Sequence, residues 1–277
     1  MSDLSYHGFA IDAETALALL QWQSEMGADE PCLDAPINRY DEARAEATAR
    51  AAEKAARAVA SADPGTTPLA ATPRPAGPDP VARAQTLAAG AQTLADLAAA
   101  QDSFDGLDLK KGARSFCFAD GNAKARVMII GEAPGEEEDI QGRPFVGRAG
   151  QLLDRMFAAI GLARDQVDAE KALYITNVLP WRPTGNRTPE PAEIAMMLPF
   201  LERHVELAAP DLIVLMGNTP CQAALGRAGI LRLRGNWQTA FGRPALPMTH
   251  PAYLLRTPLA KREAWADLLS LKARLDG

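Results

Sequence analysis

"ARVMIIGEAPGEEEDIQGRPFVGRAGQLLDRMFAAIG", residues Ala125–Gly161, decides how the rest of the chain is read. It begins with a short apolar run, Val127–Ile130, that stops at Gly131. A run without alternation, too short for a helix, fits a strand covered on both faces. A loop of proline, glycine and carboxylates follows, and Ala149–Gly161 then spaces its apolar residues like an amphipathic helix and ends on glycine. Strand, loop and helix in that order make a βα unit. Ligands of such units bind beyond the carboxyl ends of the strands, and that is where Glu132, Glu136, Glu137, Glu138 and Asp139 crowd.

The same alternation continues outward from this unit. Residues 172–178 ("ALYITNV"), 210–218 ("PDLIVLMGN") and 244–251 ("PALPMTHP") read as further strands. Residues 189–209, 219–229 and 258–275 read as helices. The expected fold is therefore α/β: a three-layer α/β/α arrangement around a central four-stranded, mainly parallel sheet. Its strand ends fall at Gly131–Glu132, Asn177, Gly217 and His250. Ahead of it, residues 13–27 and 40–61 have helical patterning, a stretch rich in proline and alanine follows, and residues 81–100 read as one more helix. The expected organisation is a helical N-terminal extension over 1–63, a linker over 64–82, and the α/β/α domain with its leading helix over 83–277.

Composition narrows the function classes. With 47% hydrophobic and 23% charged residues in 277, the chain has an ordinary globular balance. No twenty-residue apolar span occurs, and the acidic start "MSDLSYHGFAIDAE" does not resemble a targeting signal, so a cytoplasmic protein without membrane contact is expected. Cys32, Cys117 and Cys221 stand far apart, which argues against a disulfide framework and a thiolate metal site. The net charge of −6 conceals an asymmetry: residues 1–124 hold 11 Lys and Arg against 18 Asp and Glu, residues 125–277 hold 18 against 17. Arginines of the second part, among them Arg143, Arg148, Arg182, Arg187, Arg232 and Arg256, fall in or near loops. A nearly neutral domain with such loops can present a basic face to nucleic acid.

Glu132, Asn177 and His250 are polar groups at strand ends, and together they make a candidate pocket. An Asn amide offers donor and acceptor in one plane and can read a base edge. A histidine can donate to an oxygen that gains negative charge. Phe145, in "PFVG", could stack on a flat ligand. Each has a plainer reading: Asn177 as a turn cap, His250 as a surface histidine, Phe145 as core, and "GEAPGEEED" as a helix start.

The order and context of all four change that balance. "GEAPGEEEDIQGRPFVGRAGQLLDRM", "YITNVLPWRPTGNRTPEPAEI" and "HPAYLLR" resemble signature segments of the uracil-DNA glycosylase superfamily, most closely its fourth, usually iron–sulfur-containing family. The resemblance runs from about Phe104 to Leu275. It implies a DNA repair glycosylase that flips uracil from single- or double-stranded DNA and hydrolyses its N-glycosidic bond. It places Glu132 at the scissile bond with the backbone of Ala133–Gly135, Phe145 on the base, Asn177 at the base edge and His250 at the O2 oxygen. Gly135 falls where some relatives exclude the thymine methyl. Asp139 is the second candidate for a catalytic carboxylate. Leu254 falls at the wedge that enters the base stack, and Arg256 and Arg187 are expected to contact DNA. The alternative is a module that recognises uracil or damaged DNA without cleaving it.

The resemblance also implies where cluster cysteines would stand, and here those positions hold Phe104, Leu107, Trp181 and Met197. None of the four supplies a thiolate. The expectation is a protein with no cofactor and no metal, in which hydrophobic packing replaces the cluster. A monomer is expected, with an N-terminal extension that can bind another protein.

Overall fold

The computed structural model describes residues 79–277, together with Ser5–Tyr6, Phe9–Ala10, Asp12, Leu17 and Ala18. The chain divides into two compact units, 1–72 and 73–277. In the first, β1 (Ser5–Tyr6) and β2 (Phe9–Ala10) pair antiparallel, and Leu17 and Ala18 are helical. The rest of the helices expected over 13–27 and 40–61, and most of the linker expected over 64–82, lies outside the described residues.

The second unit is built on a six-stranded sheet in the order β3-β5-β4-β6-β8-β7. Its strands are β3 (Ala119–Gly121), β4 (Val127–Gly131), β5 (Leu173–Asn177), β6 (Leu212–Met216), β7 (Gln238–Ala240) and β8 (Arg243–Met248). The inner four, β5, β4, β6 and β8, are parallel. The edges β3 and β7 run antiparallel to their neighbours, so the expected four-stranded sheet is extended by one short strand on each side. Three-residue strands of mixed polarity ("ADG", "QTA") carry no periodic signal of their own, and pairing with a longer neighbour forms them.

Every residue of β4, β5 and β6 is buried; β4 and β6 are unbroken apolar runs, and in β5 the buried Thr176 hydroxyl donates to Phe118 O. Alternate side chains serve two cores. Met128, Ile130, Tyr174, Ile213 and Leu215 belong to one. Val127, Ile129, Leu173, Ile175, Val214 and Leu246 belong to the other.

Over the first core lie α1 (Pro80–Gly90), α2 (Leu94–Ser103), α6 (Pro191–Ala208) and α7 (Asn218–Leu225). Residues 81–100 form two helices rather than one. The chain leaves α1 at Gly90, and Thr93 starts α2 with a reciprocal cap, its hydroxyl accepting from Asp96 N while Asp96 accepts from Thr93 N. Over the second core lie α5 (Arg148–Ala158) and α10 (Lys261–Asp276). The short α3 (Leu109–Gly112), α4 (Glu136–Gln141), α8 (Ile230–Leu233) and α9 (Pro251–Arg256) join these layers.

Phe104, Leu107, Trp181 and Met197 all lie in the first core, each at most 2% exposed. Phe104 meets Phe200 edge to face at 5.6 Å, and Trp181 meets Phe116 at 5.4 Å. Gly106 leaves the room Phe104 fills, since a Cβ there would come within 2.3 Å of its ring. Two aromatic rings, a leucine and one thioether do not offer the four thiolates of an iron–sulfur cluster, so this donor set does not fit that group. Among the described residues no set of three His, Cys, Asp or Glu could hold a metal ion, and no helix is long and apolar enough to cross a membrane.

Candidate active site

The chain passes from β4 out to β5 on one side, then returns past β4 to β6 on the other. Loops leaving β4 and β6 therefore diverge, and a crevice opens between their carboxyl ends. A cavity of about 730 Å³ occupies this place, lined by Glu132, Ala133, Gly135, Phe145, Asn177 and His250, among others. That volume suits a small-molecule site. Arg187 and Arg256 stand on the same lining.

Glu132 follows β4 directly. Its Oε2 accepts a 2.6 Å hydrogen bond from the Thr219 hydroxyl at the start of α7, so one contact joins the two sides of the crevice. Asn177 ends β5 opposite Gly131. Its Oδ1 is buried and has no hydrogen-bond partner. Leaving such an acceptor unsatisfied costs about 1–3 kcal/mol, a cost a ligand donor would remove. Gly131 is needed beside it: a Cβ there would lie 2.3 Å from Asn177 Oδ1 and 2.4 Å from the Phe145 ring.

His250 caps α9, its Nδ1 accepting from Ala252 N at 3.2 Å. A neutral imidazole that accepts at Nδ1 carries its proton on Nε2. Burial pushes its pKa down to about 4, helped by the Arg256 charge and opposed by Glu138. At neutral pH the side chain is therefore an uncharged N–H donor. The Phe145 ring stands 5.4 Å from the imidazole, tilted by 31°. Thr249 beside it also lines the cavity, and its buried hydroxyl has no partner.

Two residues expected at the site lie elsewhere. Asp139 is buried on α4 away from the cavity lining, where its Oδ1 accepts from Arg114 N and Ser115 N. Through that oxygen it anchors the chain before β3. Leu254 is fully buried in a small cluster with Leu152 and Ala264. On a short helix its side chain turns to the core, and its neighbour Tyr253 lines the cavity instead. Arg187 reaches the cavity but is held in a two-point pair with Glu193, at 2.6 and 2.9 Å. Arg256 has no carboxylate within ion-pairing range among the described residues.

Thr219, Glu138 and Thr249 belong to the site and were not singled out by sequence. Glu138 had a local signal, standing three residues after the helix-initiating Gly135, whose N–H it accepts at 3.1 Å. Thr219 and Thr249 carry none, because only the pairing of β6 with β4, and of β8 with β6, brings them to the crevice.

Known proteins resemble the chain over the sheet-bearing unit. The profile of a family described as "Uracil DNA glycosylase superfamily" matches residues 118–269. A "Type-4 uracil-DNA glycosylase" of Thermotoga maritima is 42% identical over 142 residues, 50% of this chain and 70% of that protein. Proteins of the same description from Archaeoglobus fulgidus and Saccharolobus solfataricus are 37% and 38% identical, over 58% and 56% of this chain and 82% and 74% of their own.

Proposed function

The chain belongs to the uracil DNA glycosylase superfamily, and from that premise we propose that it is a DNA repair hydrolase that removes uracil from DNA and leaves an abasic site. The observation that carries this reading is the gathering of Glu132, Asn177, Phe145 and His250 around one cavity at the switch point of the sheet.

A base in duplex cannot reach such a cavity. It must be flipped out, at a cost of a few kcal/mol that contacts in the pocket offset. In this reading Phe145 stacks on the base and the unpaired Asn177 Oδ1 accepts its N3–H. As the glycosidic bond lengthens, negative charge gathers on the base and His250 Nε2–H donates to O2. A neutral donor suits this role, since it needs no counter-ion and is aligned beforehand by Ala252 N. The sugar becomes cationic, and the Glu132 carboxylate, steadied by Thr219, favours that charge and can orient the attacking water. Arg256 is the cation best placed for a phosphate, with Arg187 available only if it leaves Glu193. Tyr253, rather than Leu254, is the side chain next to the flipped nucleotide.

We propose further that the protein works without an iron–sulfur cluster, as a monomer. The apolar residues at 104, 107, 181 and 197 support the first point. Stoichiometric iron in the purified protein would overturn it, and a dimer by light scattering the second.

The test is cleavage of a single-uracil oligonucleotide in metal-free buffer, read after alkaline treatment. Wild type is expected to cleave, and His250→Ala to be slower by about a hundredfold to a thousandfold, the usual effect of losing one such donor. Asn177→Ala is expected to fall comparably. A folded wild type that binds uracil-containing DNA but leaves it intact would refute the hydrolase and favour a recognition module.

A further inference from the structure

Phe145 has φ 54°, a left-handed backbone that few residues other than glycine adopt. A non-glycine residue held there costs on the order of 1–3 kcal/mol, which surrounding contacts must offset. Those contacts come from two charged side chains of opposite sign. Arg164 Nη1 donates to Pro144 O at 3.0 Å and Nη2 to Phe145 O at 2.7 Å. Glu138 Oε1 accepts from both Val146 N and Gly147 N at 2.9 Å. The peptide group between Phe145 and Val146 is thus bound at both ends, its carbonyl by the guanidinium and its N–H by the carboxylate.

Neither clamp is loose. Arg164 is 15% exposed, with Nε on Asp154 at 2.9 Å and Nη1 on Asp120 at 2.8 Å. Glu138 is tied at its other oxygen to Gly135 N. It also stands at the amino end of α5, where Gly147 provides no side-chain cap and a carboxylate is favoured by the helix dipole. The first turn of α5 closes from the far side: a Cβ at Gly150 would lie 1.9 Å from Phe145 O.

We infer that Glu138 and Arg164 are positioning residues that hold the left-handed turn at Phe145 and so set the pose of its ring on the cavity. The inference rests on the reading that Phe145 stacks on the base. If either clamp opened, the backbone at 145 would relax to negative φ and the ring would leave the wall it shares with Gly131 and His250.

A merely structural role would reduce activity whatever stands at 145, so the test is a double-mutant cycle. Arg164→Gln, Glu138→Gln and Phe145→Leu are compared with the doubles Arg164→Gln/Phe145→Leu and Glu138→Gln/Phe145→Leu. All are assayed for kcat/KM on single-stranded uracil oligonucleotide, well below each protein's Tm. Each clamp variant is expected to lose about tenfold or more with Phe145 present, and less than about twofold in the Phe145→Leu background. Arg164→Lys, which keeps the charge but not the fork, is expected to fall between wild type and Arg164→Gln. It also serves if Arg164→Gln does not fold. Equal losses in both backgrounds would overturn the inference, as would wild-type activity in the clamp variants. A Glu138→Gln loss that persists in the Phe145→Leu background, as an effect through the charge near His250 would, overturns the assignment of Glu138. If wild type binds without cleaving, the proposed activity fails, but the same cycle read in Kd still decides the clamp.

Discussion

At His250 one backbone N–H, from Ala252, determines which ring nitrogen carries the proton and where it points. Because burial holds the pKa at about 4, His250 stays neutral through the physiological range. Its ionisation is therefore expected to leave the single-turnover rate unchanged between about pH 5.5 and 8. A limb in that profile with a midpoint near 6.5 that vanishes in His250→Ala would contradict this. Leu254 invites a different expectation. Its side chain has no exposure, so Leu254→Ala should cost about 2–5 kcal/mol of stability by leaving a cavity. Tyr253→Ala should instead preserve the chemical-denaturation midpoint and weaken binding to uracil-containing DNA. Reversed effects would return the wedge to Leu254.

The elements over the first core meet at the four positions where the family resemblance implies cluster cysteines. Phe104 ends α2, Leu107 precedes α3, Met197 lies on α6 and Trp181 follows β5, so the four positions bring these segments into one core. Phe104→Ala is expected to cost about 3–5 kcal/mol, measured by denaturant unfolding, while the cavity residues keep their places. Treatment with an iron chelator is expected to change neither stability nor cleavage. The cap of α2 is a smaller device of the same layer: Thr93→Ala should lower stability by about 1 kcal/mol.

For the molecule as a whole, two buried histidines, His250 and His204, are expected to contribute to the response to acid. His250 titrates at about 4 and His204 at about 3, both lowered by burial from 6.5. His204 shares a 2.8 Å hydrogen bond with the Tyr174 hydroxyl and stacks on Phe118. As pH falls through 6.5 the unfolded chain takes up these protons first. Stability is thus full above that pH and declines toward about pH 4 by up to about 1.4 kcal/mol per pH unit for each histidine. Tm measured from about pH 7 to 4 should show this decline. His204→Gln should flatten it by about half, relative to its own value at neutral pH, and an unchanged slope would show that carboxylates dominate instead.

The sequence by itself determined the alternating layers and the strand ends. Apolar runs at β4 and β6, and the largely apolar start of β5, are buried on both faces, and glycine or a polar residue stands where each strand ends. Glu132, Asn177 and His250 were legible for that reason: each interrupts an apolar strand at its carboxyl end. Phe145 was legible only through the motif around it, since an isolated phenylalanine reads as core. The sequence could not show that Asp139 turns one oxygen to the backbone N–H groups of Arg114 and Ser115, or that Leu254 turns inward, because a residue's facing on a short helix depends on what packs behind it. Nor could it show the edge strands, the Thr219 contact with Glu132, or the hold of Arg164 on a carbonyl nineteen residues earlier. Those interactions have no period and no fixed spacing. They exist only once the sheet brings distant loops to one rim, and tertiary structure decided them.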